Sequence, residues 1–424
     1  MPASPVTYSH AVLRRNLEFA CALVIVGLLA GVAGVSTTLV LRFVEHLTYH
    51  YTFGSLLAGV TASNHVRRVL GPMVGGALAA LGWWILRSRT DVPPLADVIA
   101  GGDRVPRLAL SIDALLQVLL IGSGASLGRE GAPRQFAAAL GDFGMRWLNR
   151  LPFQDRRILL ACAAGAGLGA VYTVPLGGAL FSARIVLNSW HPRALGAALI
   201  TSSLAVAVSS AVTHGSPTLD WPSPRLSHLL VGYIVLLAPL TLAVGSAFNH
   251  LMARARSAAI WRSWVLIPAI AGAGLLTGIC SHWWPELPGN GRSILTVTLN
   301  SGMTLAAAAT VLTLKPLLTA LFLRAGGVGG MLTPSLATGA AAGSLLALAV
   351  NFAVGTTIST PAVSLAGAAG VLAITQRTPF WAAMFVWELA RPPLWLLAVF
   401  LSAALSSYGL RLLIQGRRAP APEA

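Results

Sequence analysis

Gly128-Arg129-Glu130-Gly131-Ala132-Pro133 places a charged pair between glycines, directly after a run (residues 108–127) made mostly of Leu, Ile, Ala and Gly. Each charge at bilayer depth costs about 2.5–3.5 kcal/mol on insertion scales, so the pair needs a structural or functional reason. Glycine-rich irregular backbone survives at that depth only where it lines a cavity or is buried in protein. The residues from Pro133 onward read as a short apolar helix. An ion site built on that helix's N-terminus accounts for the whole stretch.

The surrounding chain supplies the membrane. Of its 424 residues 55% are hydrophobic and only 10% charged, against about 25% charged in ordinary globular domains. Apolar runs fall at 17–43, 69–86, 108–127, 157–188, 194–213, 228–248, 264–280, 302–323, 331–353, 362–374 and 379–414. Several reach the ~20 residues a spanning helix needs, and others are shorter or broken by Pro and Gly. The class is an all-α polytopic membrane protein. Arg14, Arg15 and Glu18 open the first run without a small-residue cleavage site, which predicts a retained helix rather than a signal peptide.

The net charge of +16 raises nucleic acid as a partner, but no soluble basic module is present to carry that role. Nearly all the basic residues are Arg, many flanking apolar runs: Arg67, Arg68, Arg87, Arg89, Arg156, Arg157, Arg254, Arg256, Arg411. That distribution suits the rule that cytoplasmic loops are rich in Lys and Arg, although not every basic cluster need be cytoplasmic. The basic residues at both ends (Arg14, Arg15, Arg417 and Arg418) place both termini on that side. Cys21, Cys162 and Cys280 lie inside apolar runs and read as small buried hydrophobes, with no metal or disulfide spacing. His46 and His50, at i,i+4 spacing beside Tyr49 and Tyr51, read as an interfacial aromatic cluster rather than a metal site.

The chain carries an internal repeat. Residues 164–181 and 368–385 align without gaps at an offset of 204, matching Ala164 with Ala368, Leu168 with Leu372, Pro175 with Pro379, Ala179 with Ala383 and Phe181 with Phe385. Upstream of each copy stands a glycine-rich break and a proline: the 128–133 stretch in the first, Gly329-Gly330-Met331-Leu332-Thr333-Pro334 in the second. The expected organisation is one transmembrane domain over 1–424, with half-repeats at about 15–215 and 228–414 and no cytoplasmic regulatory domain. The stretches around 214–227 and 282–293 read as polar, Pro-rich loops with interfacial Trp.

Proline in a first helical turn has its φ preset and lacks an N–H that would go unpaired there. A helix N-terminus adds roughly half a positive charge and several free N–H donors, a cradle for an anion. Two such half-helices aimed at one point can replace an anion's hydration shell without placing full positive charge beside it, which leaves the anion free to depart. Glu130, itself an anion, can occupy the cradle as a tethered plug. Pairing with adjacent Arg129 is the plainer alternative for it, and Arg129 either touches the ion or only steadies the loop.

These residues resemble the CLC chloride channels and proton-coupled chloride antiporters, in particular their bacterial voltage-gated-channel-like branch. Gly128-Arg129-Glu130-Gly131 is similar to the family's gating-glutamate motif, with Ala132 where many members have Pro. The 329–334 stretch resembles its Gly-Gly-x-Phe-x-Pro motif with Leu332 for the aromatic, and Thr173-Val174-Pro175-Leu176-Gly177-Gly178 and Arg377-Thr378-Pro379 resemble two further segments. Lys315 falls at a family basic position and Glu388 at the Glu ending the last segment. The likeness runs over about 15–410. It implies an inverted-repeat protomer with broken and re-entrant helices, a homodimer with one pore per subunit, in a bacterial inner membrane. It also implies Glu130 as gate, chloride as ligand and no cofactor, with the anion held near Arg129, Gly131, Ala132, Gly330, Met331 and Leu332.

The departures sharpen the reading. The family's first motif falls near Arg89-Thr90-Asp91-Val92-Pro93, where Thr90 would replace the coordinating serine unless the segment is only a Pro-rich loop. The C-terminal tyrosine has no clear counterpart, Tyr408 lying about a dozen residues early. The glutamate that relays protons in antiporters aligns with Ile185, which cannot carry one. Asp113 stands where a basic residue is common and Arg184 where acidic ones are frequent, so a reversed Asp113–Arg184 pair is expected, a lone buried charge being strongly disfavoured. Passive chloride conduction is the expected function, with proton-coupled exchange, or carriage of fluoride or nitrate, as alternatives. A member without transport also stays open. An intramembrane enzyme does not fit, since the intramembrane acids Asp113, Glu130 and Glu388 are isolated and no His accompanies a nucleophile.

Overall fold

The computed structural model describes residues 5–416 except 53, 102–104, 149–150, 214–217, 223–226 and 228–229, and the side chains from residue 13 onward. Much of the expected 214–227 loop, and the C-terminal Arg417 and Arg418, lie outside the described residues. The elements are α1 (Pro5–Tyr49), α2 (Leu56–Ala62), α3 (His65–Arg89), α4 (Leu95–Gly101), α5 (Arg107–Gly122), α6 (Gly131–Gly144), α7 (Phe153–Tyr172), α8 (Pro175–Leu180) and α9 (Pro192–Thr213). There follow α10 (Leu230–Ser257), α11 (Leu266–Cys280), α12 (Arg292–Leu299), α13 (Leu305–Arg324), α14 (Leu332–Val354), α15 (Thr360–Gln376), α16 (Pro379–Ala390) and α17 (Trp395–Gly416). Seven of the described helices are long and apolar enough to cross a membrane. Each expected apolar run contains helix, and two are cut in the middle: 157–188 into α7 and α8, 379–414 into α16 and α17.

Contacts gather the chain into two compact units that interleave in sequence: residues 1–39, 89–115 and 131–216 in the first, and 40–88, 116–130 and 217–424 in the second. In the first, α6, α7 and α9 pack through small residues. A methyl on Gly167 would collide with the Pro133 carbonyl, and one on Gly178 with the Gly165 carbonyl. In the second, Gly339 and Gly343 of α14 press on the backbone of Gly367 and Val363 in α15 just as closely, and Ser344 and Ser364 hydrogen-bond at 2.7 Å across that contact. Lipid tails are as apolar as Leu, so close backbone approach and interhelical hydrogen bonds take over from the hydrophobic effect in such packing.

The repeat is visible in the backbone. α7 ends at Thr173 (φ 57°) and α15 at Arg377 (φ 57°), both left-handed, separated by the same offset of 204. The next residues, Val174 and Thr378, share ψ 79° with φ of −125° and −139°, and Pro175 and Pro379 open the following helix. The copies then part. The first turns π-helical over Phe181–Val186, whereas α16 continues regularly to Ala390. Wide turns of this kind are rare and frequently mark functional positions.

Several single-residue expectations change. Arg87 is no interfacial cation: it is 2% exposed, lies 4.0 Å over the Trp261 ring, and donates to the Gly326 carbonyl at 3.1 Å. Cys21 is exposed rather than buried. α1 stops at Tyr49, so His50, left-handed at φ 53°, does not share a helix face with His46, whose ring instead meets Tyr51 at 4.3 Å. No group of three or more metal-ligating side chains forms among the described residues.

Candidate anion site

The candidate site lies within the second unit, where the segment after α5 meets the start of α14. Residues 121–128 are buried throughout, so every backbone group there needs a partner. Gly124, at φ 110°, makes the turn, and a side chain in its place would strike the Tyr49 hydroxyl. Its carbonyl accepts from the Gly289 N–H at 3.0 Å. The Tyr49 hydroxyl donates to the Ser123 carbonyl at 3.3 Å, and Thr319 of α13 donates to the Ser126 carbonyl at 2.8 Å. Gly128 and Gly330 then exchange both backbone hydrogen bonds, each 2.7 Å, in an isolated antiparallel bridge. This bridge ties the two glycine-rich breaks together.

Glu130 closes the arrangement. Its side chain is 2% exposed. Oε1 accepts from the Leu332 N–H at 2.5 Å and Oε2 from the Thr333 hydroxyl at 3.1 Å. Leu332 is the first residue of α14, so that N–H is one of the donors the helix itself leaves unpaired. Pro334 sits in the same first turn, and no side chain caps it locally. The carboxylate of Glu130, 202 residues earlier in sequence, takes the cap position. A methyl added to Gly128 or Gly330 would fall closer than 3.0 Å to the Glu130 carboxyl, nearer than real Cβ atoms come. Both glycines are therefore needed to make room for it.

Lys315 of α13 is 0% exposed and donates to the Leu287 carbonyl at 3.1 Å and the Gly289 carbonyl at 2.7 Å. It holds the segment that in turn holds Gly124, so its role is to position the loop. Lys315→Met keeps the stem and leaves two buried carbonyls without a donor, each costing about 1–3 kcal/mol. The expected result is a fall in the unfolding temperature in detergent with the fold retained, read by circular dichroism. An unchanged melting curve would remove this role.

The other expected site residues take several places. Gly131 and Ala132 begin α6 directly after Glu130 and are buried. Met331 caps α14 with φ −115°, and Gly330 acts through its backbone. Arg129 lines a cavity of about 460 Å³ with Arg42, Glu45 and Arg292. Thr90 is exposed, its hydroxyl 3.4 Å from the Asp91 carbonyl. In the first unit, Ile185 lies in the π-helical turn and Asp113 is buried. Arg184 lays its guanidinium 4.7 Å over the Trp190 ring, a flat cation on an aromatic face. Ion pairs in that unit include Arg107 and Arg156 on Asp142, and Arg193 on Asp155. Glu388 is buried on α16 and Tyr408 half-buried on α17. Thr333 and Gly128 were not singled out as ligands by the sequence. Thr333 stands between Leu332 and Pro334 in the second break, and that placement was the available signal.

Known proteins match this chain closely. The sequence model of the family described as "Voltage gated chloride channel" matches residues 75–411. The voltage-gated ClC-type chloride channel ClcB of Escherichia coli (strain UMN026) is 28% identical over 385 residues, covering 86% of this chain and 89% of that protein. Among solved structures, a slow cyanobacterial Cl-/H+ antiporter superposes with a TM-score of 0.76 at 19% identity, covering 95% of this chain and 99% of the other. A CLC-type fluoride/proton antiporter gives 0.71 at 18%, covering 92% and 94%. The matched span contains both glycine-rich breaks, the Gly128–Gly330 bridge and the capping glutamate, and the chain belongs to the voltage-gated chloride channel family.

Proposed function

We propose that the chain conducts chloride passively across the membrane and that Glu130 is its gate. One observation carries this reading: the Glu130 carboxylate sits on the free N–H of Leu332, in a space that two glycines keep open. A group with one negative charge and two acceptor oxygens holds a position suited to a small anion. Protonation, or a swing outward, vacates it. The donors that remain are partial charges, so a bound anion is not trapped.

Passive conduction rests on Ile185. Exchange that obligatorily carries protons needs a second titratable group on the inner route, and a π-turn of Phe181, Ser182, Ala183, Arg184, Ile185 and Val186 offers no carboxylate. The alternative is proton-coupled exchange by another route; two of the structural neighbours bear antiporter names, one for chloride and one for fluoride. The working unit is proposed as a homodimer in a bacterial inner membrane, each subunit with its own pore and both termini cytoplasmic. Liposome flux with simultaneous proton recording tests the assignment. A chloride gradient is expected to drive anion flow without uphill proton movement; stoichiometric proton pumping would replace conduction with exchange.

A further inference from the structure

A cavity of about 460 Å³ in the second unit lies beside the gate segment, and its chemistry is not that of the Glu130 site. Three arginines line it: Arg42 near the end of α1, Arg129 from the gate segment, and Arg292 at the start of α12. Glu45 and Asp220 are its acidic members, so the guanidinium charges exceed the carboxylates by one. The arginines and Glu45 act on one another electrostatically: Glu45 feels Arg129, Arg292 and Arg42, and Arg292 feels Arg129, Arg42, Glu45 and Asp220. Glu45 Oε2 also accepts from the Tyr51 hydroxyl at 3.3 Å. Burial, and after it the charge of Glu45, pushes the Tyr51 phenol up, which keeps it a protonated donor.

The space far exceeds a single halide, and the cations around it are planar forks rather than point charges. Guanidinium groups match the paired oxygens of an oxoanion, in which one ligand can bridge several forks at once. Asn290 and Ser293 also line the cavity; the Asn290 amide is steadied by accepting from the Arg292 N–H at 3.2 Å. We propose that this cavity is a second anion site, separate from the gate, for an oxoanion of the phosphate or sulfate class held by Arg42, Arg129 and Arg292. Glu45 is the internal competitor that limits its affinity.

Titration calorimetry on the full chain in detergent, at constant ionic strength, tests this with inorganic phosphate as probe and chloride as comparator. Phosphate is expected to bind saturably, about tenfold more weakly in Arg42→Gln and Arg292→Gln, and several-fold more tightly in Glu45→Gln. The opposite sign for Glu45→Gln guards against misfolding, which does not raise affinity. Glu130→Gln is expected to bind phosphate as the parent does, so failure here stays distinct from failure of the gate. Absence of phosphate binding, affinity equal to the parent's in both arginine variants, or displacement of phosphate by an equal concentration of chloride would overturn the site. Nanodiscs separate the sources: phosphate binding lost only in phosphatidylglycerol discs assigns the site to a lipid headgroup, and equal binding in phosphatidylglycerol and phosphatidylcholine discs assigns it to the free oxoanion.

Discussion

Glu130→Gln is expected to raise anion flux about tenfold and to flatten its pH dependence. A hydrogen bond to a charged group is worth about 1.5–3 kcal/mol, and each 1.4 kcal/mol is a factor of ten in occupancy. The carboxylate makes two, to the Leu332 N–H and the Thr333 hydroxyl, both out of solvent. A neutral amide competes more weakly for the same donors, so an arriving anion displaces it more readily. The sign with pH follows. In the parent, acid neutralises the plug and flux rises as pH falls; in Glu130→Gln no proton can change the plug, and flux stays level. Liposome chloride efflux across a pH series reads both. Unchanged efflux and an unchanged pH profile would take the gating role from Glu130.

Gly330→Ala carries the second large effect, for a steric reason. Its added methyl would fall on Oε1, Cδ and Cγ of Glu130. The Gly330 backbone is not in the left-handed region that only glycine favours, so alanine is tolerated by the chain and refused by the side chain. The substitution is expected to evict the carboxylate and raise flux about as much as Glu130→Gln does. In a Glu130→Ala background the collision has no partner, and adding Gly330→Ala is expected to change flux less than twofold. That non-additivity is the signature of two residues sharing one space. Equal and additive effects in both backgrounds would mean that the methyl disturbs the Gly128–Gly330 bridge instead.

Much of this was legible in the chain. Both helix breaks announce themselves because Gly and Pro interrupt long apolar runs, and the repeat predicts equivalent turns that Thr173 and Arg377 provide with equal φ. Glu130 stood out because a carboxylate within apolar sequence is costly. What sequence could not give is how backbone is paired across distance. The reciprocal bonds of Gly128 and Gly330, and the carbonyls of Leu287 and Gly289 that hold Lys315, leave no trace in residue identity. Arg87 looked interfacial because it ends an apolar run, yet two tryptophans and a carbonyl bury it. Arg184 was matched to Asp113 by charge, and charge alone did not reveal the Trp190 ring beneath its guanidinium. Short helices such as α2, α4 and α12 carry too few turns for a period to show.

The central claim is that an anion and the Glu130 carboxylate compete for one place at the start of α14. Anomalous scattering from bromide in crystals of Glu130→Ala protein tests it most directly. A bromide peak is expected within hydrogen-bonding reach of the Leu332 N–H and the Thr333 hydroxyl, where the carboxylate oxygens lie in the parent, and no such peak in parent crystals whose glutamate is seated. Bromide bound elsewhere in the variant, or bound at that position beside a seated Glu130, would contradict the account.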